Sequence, residues 1–132
     1  MAELTIRTPA RVAICDITAE VNTALAQMGA CDGLCNLFVP HTTAAIIVSE
    51  NWDPDVTADL LAHLERIVPR DGGFRRAEGN SQAHILSVML GAPIVIPVSG
   101  GKLALGRWQG VMVAEFDGPR ERTVRMSVLR AG

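Results

Sequence analysis

The fold class of this 132-residue chain is indicated most clearly by residues 94–129, IVIPVSGGKLALGRWQGVMVAEFDGPRERTVRMSVL. Runs of β-branched and apolar residues alternate there with turns that contain glycine or proline, a pattern typical of short strands. The predicted strands are residues 94–98, 102–107, 110–116 and 122–129. Because the turns between them are short, the stretch predicts a meander in which each strand pairs with the next one along the chain.

The first half of the chain predicts further strands around one short helix. The predicted strands are residues 3–8, 11–17, 34–39 and 43–49. Pro9 separates the first two, which predicts an opening hairpin. Apolar residues at helical spacing from Thr18 to Met28, followed by Gly29, predict a short amphipathic helix. The strands at residues 34–39 and 43–49 contain few polar residues and are predicted to be buried on both faces. His41 is predicted at the bend between them or at the start of the second.

Two more helices are predicted between these strands and the late run. Asp53 supplies an N-cap and Pro54 the first helical position, ahead of an apolar stripe that ends at Val68. Asn80 is the natural N-cap of a second helix, which Gly91 closes. The order of elements favours a single α+β domain over residues 1–132, with antiparallel sheets, sandwich-like, and about three helices. Periodicity alone does not decide whether the sheets pack face to face.

Composition excludes several classes of function. The chain is 48% hydrophobic and 20% charged, with a formal net charge of -2, so it has no global positive field for nucleic acid or an anionic membrane. No apolar stretch approaches the roughly 20 residues that span a bilayer, and the start of the chain lacks the pattern of a secretory signal. We therefore expect a cytoplasmic protein that binds neither nucleic acid nor membrane, and that holds any phosphorylated ligand locally.

The cysteines and the glycine-rich turn do not predict ready-made chemistry. Three cysteines, Cys15, Cys31 and Cys35, are an odd number without zinc-finger spacing, which favours small buried or half-buried thiols over a disulfide framework or a structural zinc site. The turn SGGK at residues 99–102 lacks the upstream glycine of a phosphate loop and has leucine after its lysine, which favours a hairpin turn. Hydrolase signatures are absent as well.

Polar residues at the ends of apolar elements are the candidates for a site. His84 follows Asn80 by one helical turn, so both project from the same side of a helix N-terminus, where free N–H groups favour an anion. Each also has a structural interpretation, in which Asn80 only caps the helix and His84 bonds within a packed surface. His41 is open to the same two interpretations, ligand or acid-base group against satisfied core residue.

Taken together, the polar motifs resemble the YjbQ family, which is also named for a secondary thiamine-phosphate synthase activity. The motifs are PHTTAA at 40–45, EN at 50–51 with DPDV at 53–56, EGN at 78–80 with His84, LG at 90–91, PV at 97–98, LGRWQG at 105–110 and EFDGPR at 115–120. Each is weak alone, but they occur in order, at the family's spacing, over nearly the whole chain.

The resemblance implies a fold, an assembly and a site. The expected fold is a compact α+β domain with antiparallel sheets, and the expected assembly is a homotrimer with polar pockets near subunit boundaries that hold metal ions or anions. Carried over position by position, His41 and His84 are the expected catalytic residues and ligands of a divalent metal, Mg or Zn. Glu78 and Glu115 are the further catalytic candidates. The expected ligand-binding residues are Asn80, Glu50, Asn51, Arg76, Trp108, Gln109 and Arg120.

Two departures from the family pattern bear on the metal. This chain has Arg76 and Gln82 at positions where members of the family carry histidine. Arginine cannot ligate a metal ion but binds phosphate well, so an anion is expected where relatives hold a cation. The leading hypothesis is a transferase that joins hydroxymethylpyrimidine diphosphate and thiazole phosphate with release of diphosphate. The alternatives are a non-catalytic module that binds a small phosphate or metal ligand, and a phosphohydrolase.

Overall fold

Eight β-strands and three α-helices follow one another along residues 1–131, the part of the chain that the computed structural model describes. The strands are β1 (Ala2–Arg7), β2 (Ala13–Asp16), β3 (Gly33–Phe38), β4 (Ala44–Glu50), β5 (Pro93–Ser99), β6 (Lys102–Leu103), β7 (Gln109–Glu115) and β8 (Glu121–Arg130). The helices are α1 (Thr18–Gln27), α2 (Pro54–Ile67) and α3 (Ser81–Leu90). The predicted α+β class and the three helices are confirmed.

The strands form two antiparallel sheets, a five-stranded one in the order β1-β8-β3-β5-β6 and a three-stranded one in the order β2-β7-β4. The predicted opening hairpin is therefore wrong, because β1 pairs with β8 while β2 pairs with β7 in the other sheet. The segment around Pro9 carries the chain from one sheet to the other instead of folding it back. A short connection between two strands indicates that they are close in space, but it does not require them to pair.

The predicted late meander is also wrong. Of its four strands only β5 and β6 pair with each other, and β6 contains just Lys102 and Leu103. β7 crosses to the centre of the three-stranded sheet, and β8 returns to lie between β1 and β3. The alternating pattern predicts that strands form, whereas partner choice depends on which apolar faces meet in the core.

The main hydrophobic core lies between the two sheets, which pack face to face. Leu37 and Met126 contribute to it from the five-stranded sheet, Ile46 and Val113 contribute from the three-stranded sheet, and α1 closes it with Leu25. Within residues 1–131 no helix covers the outer face of the five-stranded sheet, where Leu34 and Phe38 of β3 point outward and are partly exposed. Burial of β3 on both faces, as predicted, is therefore wrong.

A second apolar cluster lies on the other side of the three-stranded sheet. Helices α2 and α3 cover that face, with Leu64 and Leu86 packed against Ala45 and Phe116. The start of β4 is buried on both faces as predicted, since Ala44 and Ala45 point into different clusters. The molecule thus has three layers, a five-stranded sheet, a three-stranded sheet and a helical layer.

The helix starts match the sequence in position but not always in bonding. Asp53 accepts a hydrogen bond from the backbone N–H of Asp55 at 2.9 Å, so the predicted cap of α2 is confirmed. Asn80 occupies the N-cap position of α3, but its side chain makes no capping bond and points to other partners. The predicted N-cap position of Asn80 is therefore confirmed, although its side chain does not bond to the helix.

The three cysteines are free thiols, as the sequence predicts. Cys15 is half-buried and Cys35 is buried, and burial raises the pKa of the Cys35 thiol to about 11. Cys31 is exposed, which differs from the predicted burial. None of the helices within residues 1–131 is both long enough and apolar enough to cross a membrane.

Candidate functional site

His41 lies in the segment that carries the chain from β3 in one sheet to β4 in the other. Its Nε2 accepts a hydrogen bond at 2.9 Å from the backbone N–H of Thr123 in β8. In the neutral ring this bond leaves the proton on Nδ1, which makes Nδ1 a hydrogen-bond donor. Burial lowers the pKa of His41, and the positive charge of Arg122 acts in the same direction, so the neutral ring is favoured.

The two histidines that the sequence singles out, His41 and His84, line the same cleft. The cleft has a volume of about 310 Å³ and lies between the segment after β3 and helix α3. Its other lining residues are Thr42, Ala44, Ser87, Val88, Gly91 and Ala92. His84 Nε2 is buried and has no hydrogen-bond partner in residues 1–131, a condition that bound groups often relieve at functional sites.

A buried ion pair contacts the segment that contains His41. Arg122 is 3% exposed and Glu115 is fully buried. Arg122 Nε donates to Glu115 Oε1 at 2.8 Å, and Arg122 Nη2 donates both to Glu115 Oε2 and, at 2.8 Å, to Thr43 Oγ1. Thr8 Oγ1 donates to Glu115 Oε1 at 2.7 Å. Both carboxylate oxygens of Glu115 are therefore engaged, and Glu115 is not among the residues that line the cleft.

The ionisation of Glu115 is set by these bonds. Burial raises the pKa of its carboxyl, but the hydrogen bonds from Arg122, from the backbone N–H of Asp117 and from Thr8 outweigh burial and leave the pKa below its usual value. A carboxylate held in this way keeps its charge and accepts no further proton near neutral pH. The structure therefore gives Glu115 the environment of a structural anion.

Another group of predicted residues surrounds the start of α3 and is joined by Asp117. Arg76 Nε donates to Asn80 Oδ1 at 2.5 Å, and Arg76 Nη2 pairs with Glu78 at 2.6 Å. Asn80 Nδ2 donates to Asp117 Oδ2 at 3.1 Å, and Arg120 Nε donates to the Asp117 backbone oxygen at 2.8 Å. The cavity that Arg76 lines includes neither His41 nor His84. Asp117 lies in the motif EFDGPR but is not among the predicted site residues.

The remaining predicted residues lie on a third surface, at the ends of β2 and β4. Glu50 and Asn51 line a cavity of about 290 Å³, in which Asn51 Nδ2 donates to Asp16 Oδ2 at 3.1 Å. Trp108 packs edge to face on Trp52, with ring centroids 5.2 Å apart. Gln109 Oε1 accepts from the backbone N–H of Gly106 at 2.8 Å. Within one chain, none of these residues lines the cleft of His41 and His84.

The described residues of one chain do not by themselves form a site that fits a divalent metal ion. Within residues 1–131, no group of three histidine, cysteine or acidic side chains is placed to hold one. His41 already uses its unprotonated nitrogen to accept from Thr123. Gln82, at a position where family members carry histidine, is buried and donates to the Val68 backbone oxygen at 2.8 Å and to Glu65. These contacts tie Gln82 to α2 and not to the cleft.

Sequence reasoning missed the residues that hold His41, although one signal was present. Val124 and Met126 alternate toward the core along β8, and Arg122 has the same alternation phase. A charged residue at a core position requires a buried partner, which here is Glu115. Thr43 and Thr123 gave no such signal, because they act through a backbone oxygen, a hydroxyl and a backbone N–H.

Comparison with known proteins identifies close relatives over the full fold. A sequence model described as "UPF0047 protein YjbQ-like" matches residues 2–131. The UPF0047 protein YugU of Bacillus subtilis is 41% identical over 127 residues, which cover 96% of each chain. The UPF0047 protein MJ1081 of Methanocaldococcus jannaschii is 40% identical over 124 residues, which cover 94% of this chain and 90% of the relative.

Solved structures show the same fold. An uncharacterized conserved protein of the yjbq/upf0047 family from Clostridium acetobutylicum superposes with a TM-score of 0.94 at 42% identity, covering 98% of this chain and 100% of that one. The conserved hypothetical protein TT1486 from Thermus thermophilus superposes with a TM-score of 0.92 at 42% identity, with the same coverage.

Proposed function

The chain belongs to the YjbQ-like UPF0047 family, and we propose that it acts as a transferase of the thiamine-phosphate synthase type at the cleft of His41 and His84. In this reaction the methylene carbon of hydroxymethylpyrimidine diphosphate bonds to the ring nitrogen of thiazole phosphate. The bond from that carbon to the diphosphate oxygen breaks, and its electron pair leaves with diphosphate. The site must therefore stabilise negative charge that develops on diphosphate.

The observation that carries the proposal is the meeting of the two histidines in one cleft. His41 offers a donor at Nδ1, and its ring lies near the charges of Arg122 and Arg120, which the carboxylate of Glu115 partly offsets. A hydrogen-bond donor held in a fixed position is a contact that stabilises an oxyanion leaving group. The cleft volume of about 310 Å³ suits a small phosphorylated molecule.

The first experiment is an assay of the purified protein with both thiamine precursors and magnesium. Magnesium is included because it binds mainly through substrate phosphates rather than protein cages. We expect thiamine phosphate from the wild type, and a loss of roughly tenfold or more in His84→Ala, because a polar contact in the cleft is removed. His63→Ala is the matched control, since His63 lies on α2 and does not line the cleft. Product formation no higher in the wild type than in His84→Ala would remove the enzyme proposal.

A second candidate is a non-catalytic module that binds a phosphorylated small molecule in the same cleft. It is favoured by one observation: none of the residues lining the cleft is a carboxylate, so the cleft offers no acidic side chain as a general base. Titration calorimetry with each precursor separates the two candidates. Binding that weakens in His84→Ala, without any product, supports the binding module.

We also propose that the protein assembles as a homotrimer. Two things support this assembly: the family membership, and exposed apolar side chains on two separate surfaces. One surface is the outer face of the five-stranded sheet, called the open sheet face below, and the other is α3. Val88 lines the cleft and is 84% exposed, so an interface on α3 would border the site.

A further inference from the structure

We propose that the buried Glu115–Arg122 pair is a positioning device for His41, which presents Nδ1–H to the cleft and makes the cleft a site for an oxyanion instead of a divalent metal ion. The inference uses the cleft of the proposed function and rests on it in that respect. In this proposal Glu115 acts by positioning His41 and is not itself a catalytic residue.

The pair fixes the segment that carries His41 from two sides. Arg122 Nη2 donates to Thr43 Oγ1 at 2.8 Å and to the Thr43 backbone oxygen at 3.2 Å. The same oxygen accepts from the backbone N–H of Phe116, next to Glu115, at 3.1 Å. Thr123, next to Arg122, holds His41 Nε2. Consecutive residues of β8 therefore anchor two points of one segment, two residues apart.

This segment needs an anchor because it crosses between the sheets. Arg122 belongs to the five-stranded sheet and Glu115 to the three-stranded sheet. Likewise β3, which precedes the segment, lies in the five-stranded sheet, and β4, which follows it, lies in the three-stranded sheet. The ion pair bridges the sheets where the segment crosses. Its geometry therefore sets the position of the segment relative to both sheets.

Stability alone does not explain such a pair. The desolvation of two buried charges commonly offsets their attraction, and apolar replacements of the same volume are often as stable or more stable. What an apolar pair cannot do is donate to Thr43. The guanidinium supplies a directed contact to the segment of His41, and Glu115 neutralises the charge that the contact requires.

The consequence for the ligand follows from the ring nitrogens. A metal ion needs a free lone pair on a ring nitrogen, and in His41 the lone pair of Nε2 accepts from Thr123 while Nδ1 carries the proton. Nδ1–H can only donate, and oxyanions accept. His84 then remains as one histidine without the further ligands that zinc requires within residues 1–131.

The test starts with the wild-type protein labelled with ¹⁵N, at a pH where His41 is neutral. We expect the ¹⁵N chemical shifts of the ring to place the proton on Nδ1. A proton on Nε2 overturns the proposal, whatever the variants show.

The variant that separates positioning from stability is Glu115→Leu with Arg122→Met, which replaces the pair by apolar side chains. We expect its unfolding midpoint in urea to stay close to that of the wild type. We expect His41 to show a mixture of tautomers and the affinity for inorganic diphosphate to fall by roughly tenfold or more, because a fixed donor is lost. Arg122→Lys, which keeps the charge, should recover part of the affinity.

The matched control is Glu3→Leu with Arg125→Met, the same change in an exposed ion pair of β1 and β8. Its diphosphate affinity should stay within about twofold of the wild type, as expected of an exposed pair. Should Glu115→Leu with Arg122→Met fail to fold, Arg122→Lys and the wild-type tautomer decide the outcome. An unchanged tautomer and an unchanged diphosphate affinity in the folded apolar variant overturn the proposal.

Calorimetry with zinc alone tests the choice of ligand. We expect no zinc binding that is lost in His41→Ala, whereas diphosphate binding should weaken in that variant. Zinc binding that depends on His41 overturns the proposal, as does a wild type that does not bind diphosphate. If the protein binds diphosphate through Nδ1–H but makes no thiamine phosphate, this inference stands and only the proposed transferase activity is contradicted.

Discussion

Glu115 shows at the scale of one residue how this fold holds a charge without solvent. Its carboxylate is fully buried, and all the compensation comes from Arg122, Thr8 and the backbone N–H of Asp117. A neutral amide of the same shape would leave the Arg122 charge without its partner. Removing one member of a buried pair is usually far more costly than removing both.

The depressed pKa of Glu115 predicts a direction of pH dependence. Because the folded pKa lies below the usual 4.5, the unfolded chain binds its proton first as the pH falls. The stabilisation by Glu115 is fully present above about pH 4.5 and is lost as the pH falls through the folded pKa. Glu115→Gln should therefore be less stable than the wild type by about 3 kcal/mol near neutral pH, with a smaller difference in acid.

Urea unfolding between about pH 7 and about pH 3 checks this prediction. Glu20→Gln is a suitable control, because Glu20 is exposed on α1, outside the buried pair. A stability difference between Glu115→Gln and the wild type that does not narrow in acid would contradict the assignment of a depressed pKa.

The candidate site could be predicted from the sequence only where a side chain itself carries the chemistry. His41 and His84 stand out as histidines in polar motifs, and they line one cleft. Thr123 acts through its backbone N–H, which every residue except proline possesses, so its type gives no signal. The family motif marked Glu115 as a candidate site residue. Its burial, however, depends on which side chains of β7 and β8 face the interior, and this is set by tertiary packing.

At the scale of elements, the contact between β3 and β8 depends on a glycine. Gly33 starts β3 with a φ of 153° and pairs with Arg130 of β8. A Cβ at this position would lie 2.2 Å from the Leu129 backbone oxygen, closer than any real contact. The two strands therefore approach each other more closely here than a side chain would permit.

Gly33→Ala should destabilise the fold by roughly 3 kcal/mol, since both the backbone angle and the clash oppose it. Gly100→Ala is the matched control: its φ is also positive, at 60°, but no atom lies within 4 Å of the added Cβ. Its loss should be about 1 kcal/mol, the backbone cost alone. Urea unfolding of both variants measures the difference, and a larger loss in Gly100→Ala would contradict the close approach.

The sequence predicted the elements better than their partners. α2 follows from Asp53, Pro54 and a continuous apolar stripe, all of which are local. The pairing of β1 with β8 joins the two ends of the chain, and no local pattern distinguishes it from pairing with β2. Asn80 illustrates a similar limit at α3, because its side chain bonds Arg76 and Asp117 instead of the helix.

At the scale of the whole molecule, three layers leave one sheet face open. On that face Leu34, Val95 and Leu129 border a shallow cavity of about 340 Å³, and Leu129 is 72% exposed. A second apolar patch lies on α3, where Val88 and Met89 are both exposed. Apolar patches on a protein surface commonly mark contact with another chain.

Two separate patches are what a closed ring of three chains requires. In such a ring each subunit presents one surface to the neighbour on one side and a different surface to the neighbour on the other, whereas a two-fold dimer uses the same surface twice. A charge introduced on either patch should therefore break the proposed homotrimer, because each contact in the ring uses both. Leu129→Asp and Val88→Asp test the two patches one at a time.

We expect light scattering at micromolar concentration to measure the mass of a trimer for the wild type and the mass of one chain for each aspartate variant. The variants should dissociate because burying an unpaired charge in an apolar contact is costly. Ala26→Asp adds the same charge to an exposed position of α1, outside both patches, and should remain a trimer. A wild type with the mass of a single chain would contradict the assembly. Dissociation of Leu129→Asp alone, with Val88→Asp intact, would contradict the ring and favour a contact confined to the open sheet face, because only a ring needs the patch on α3.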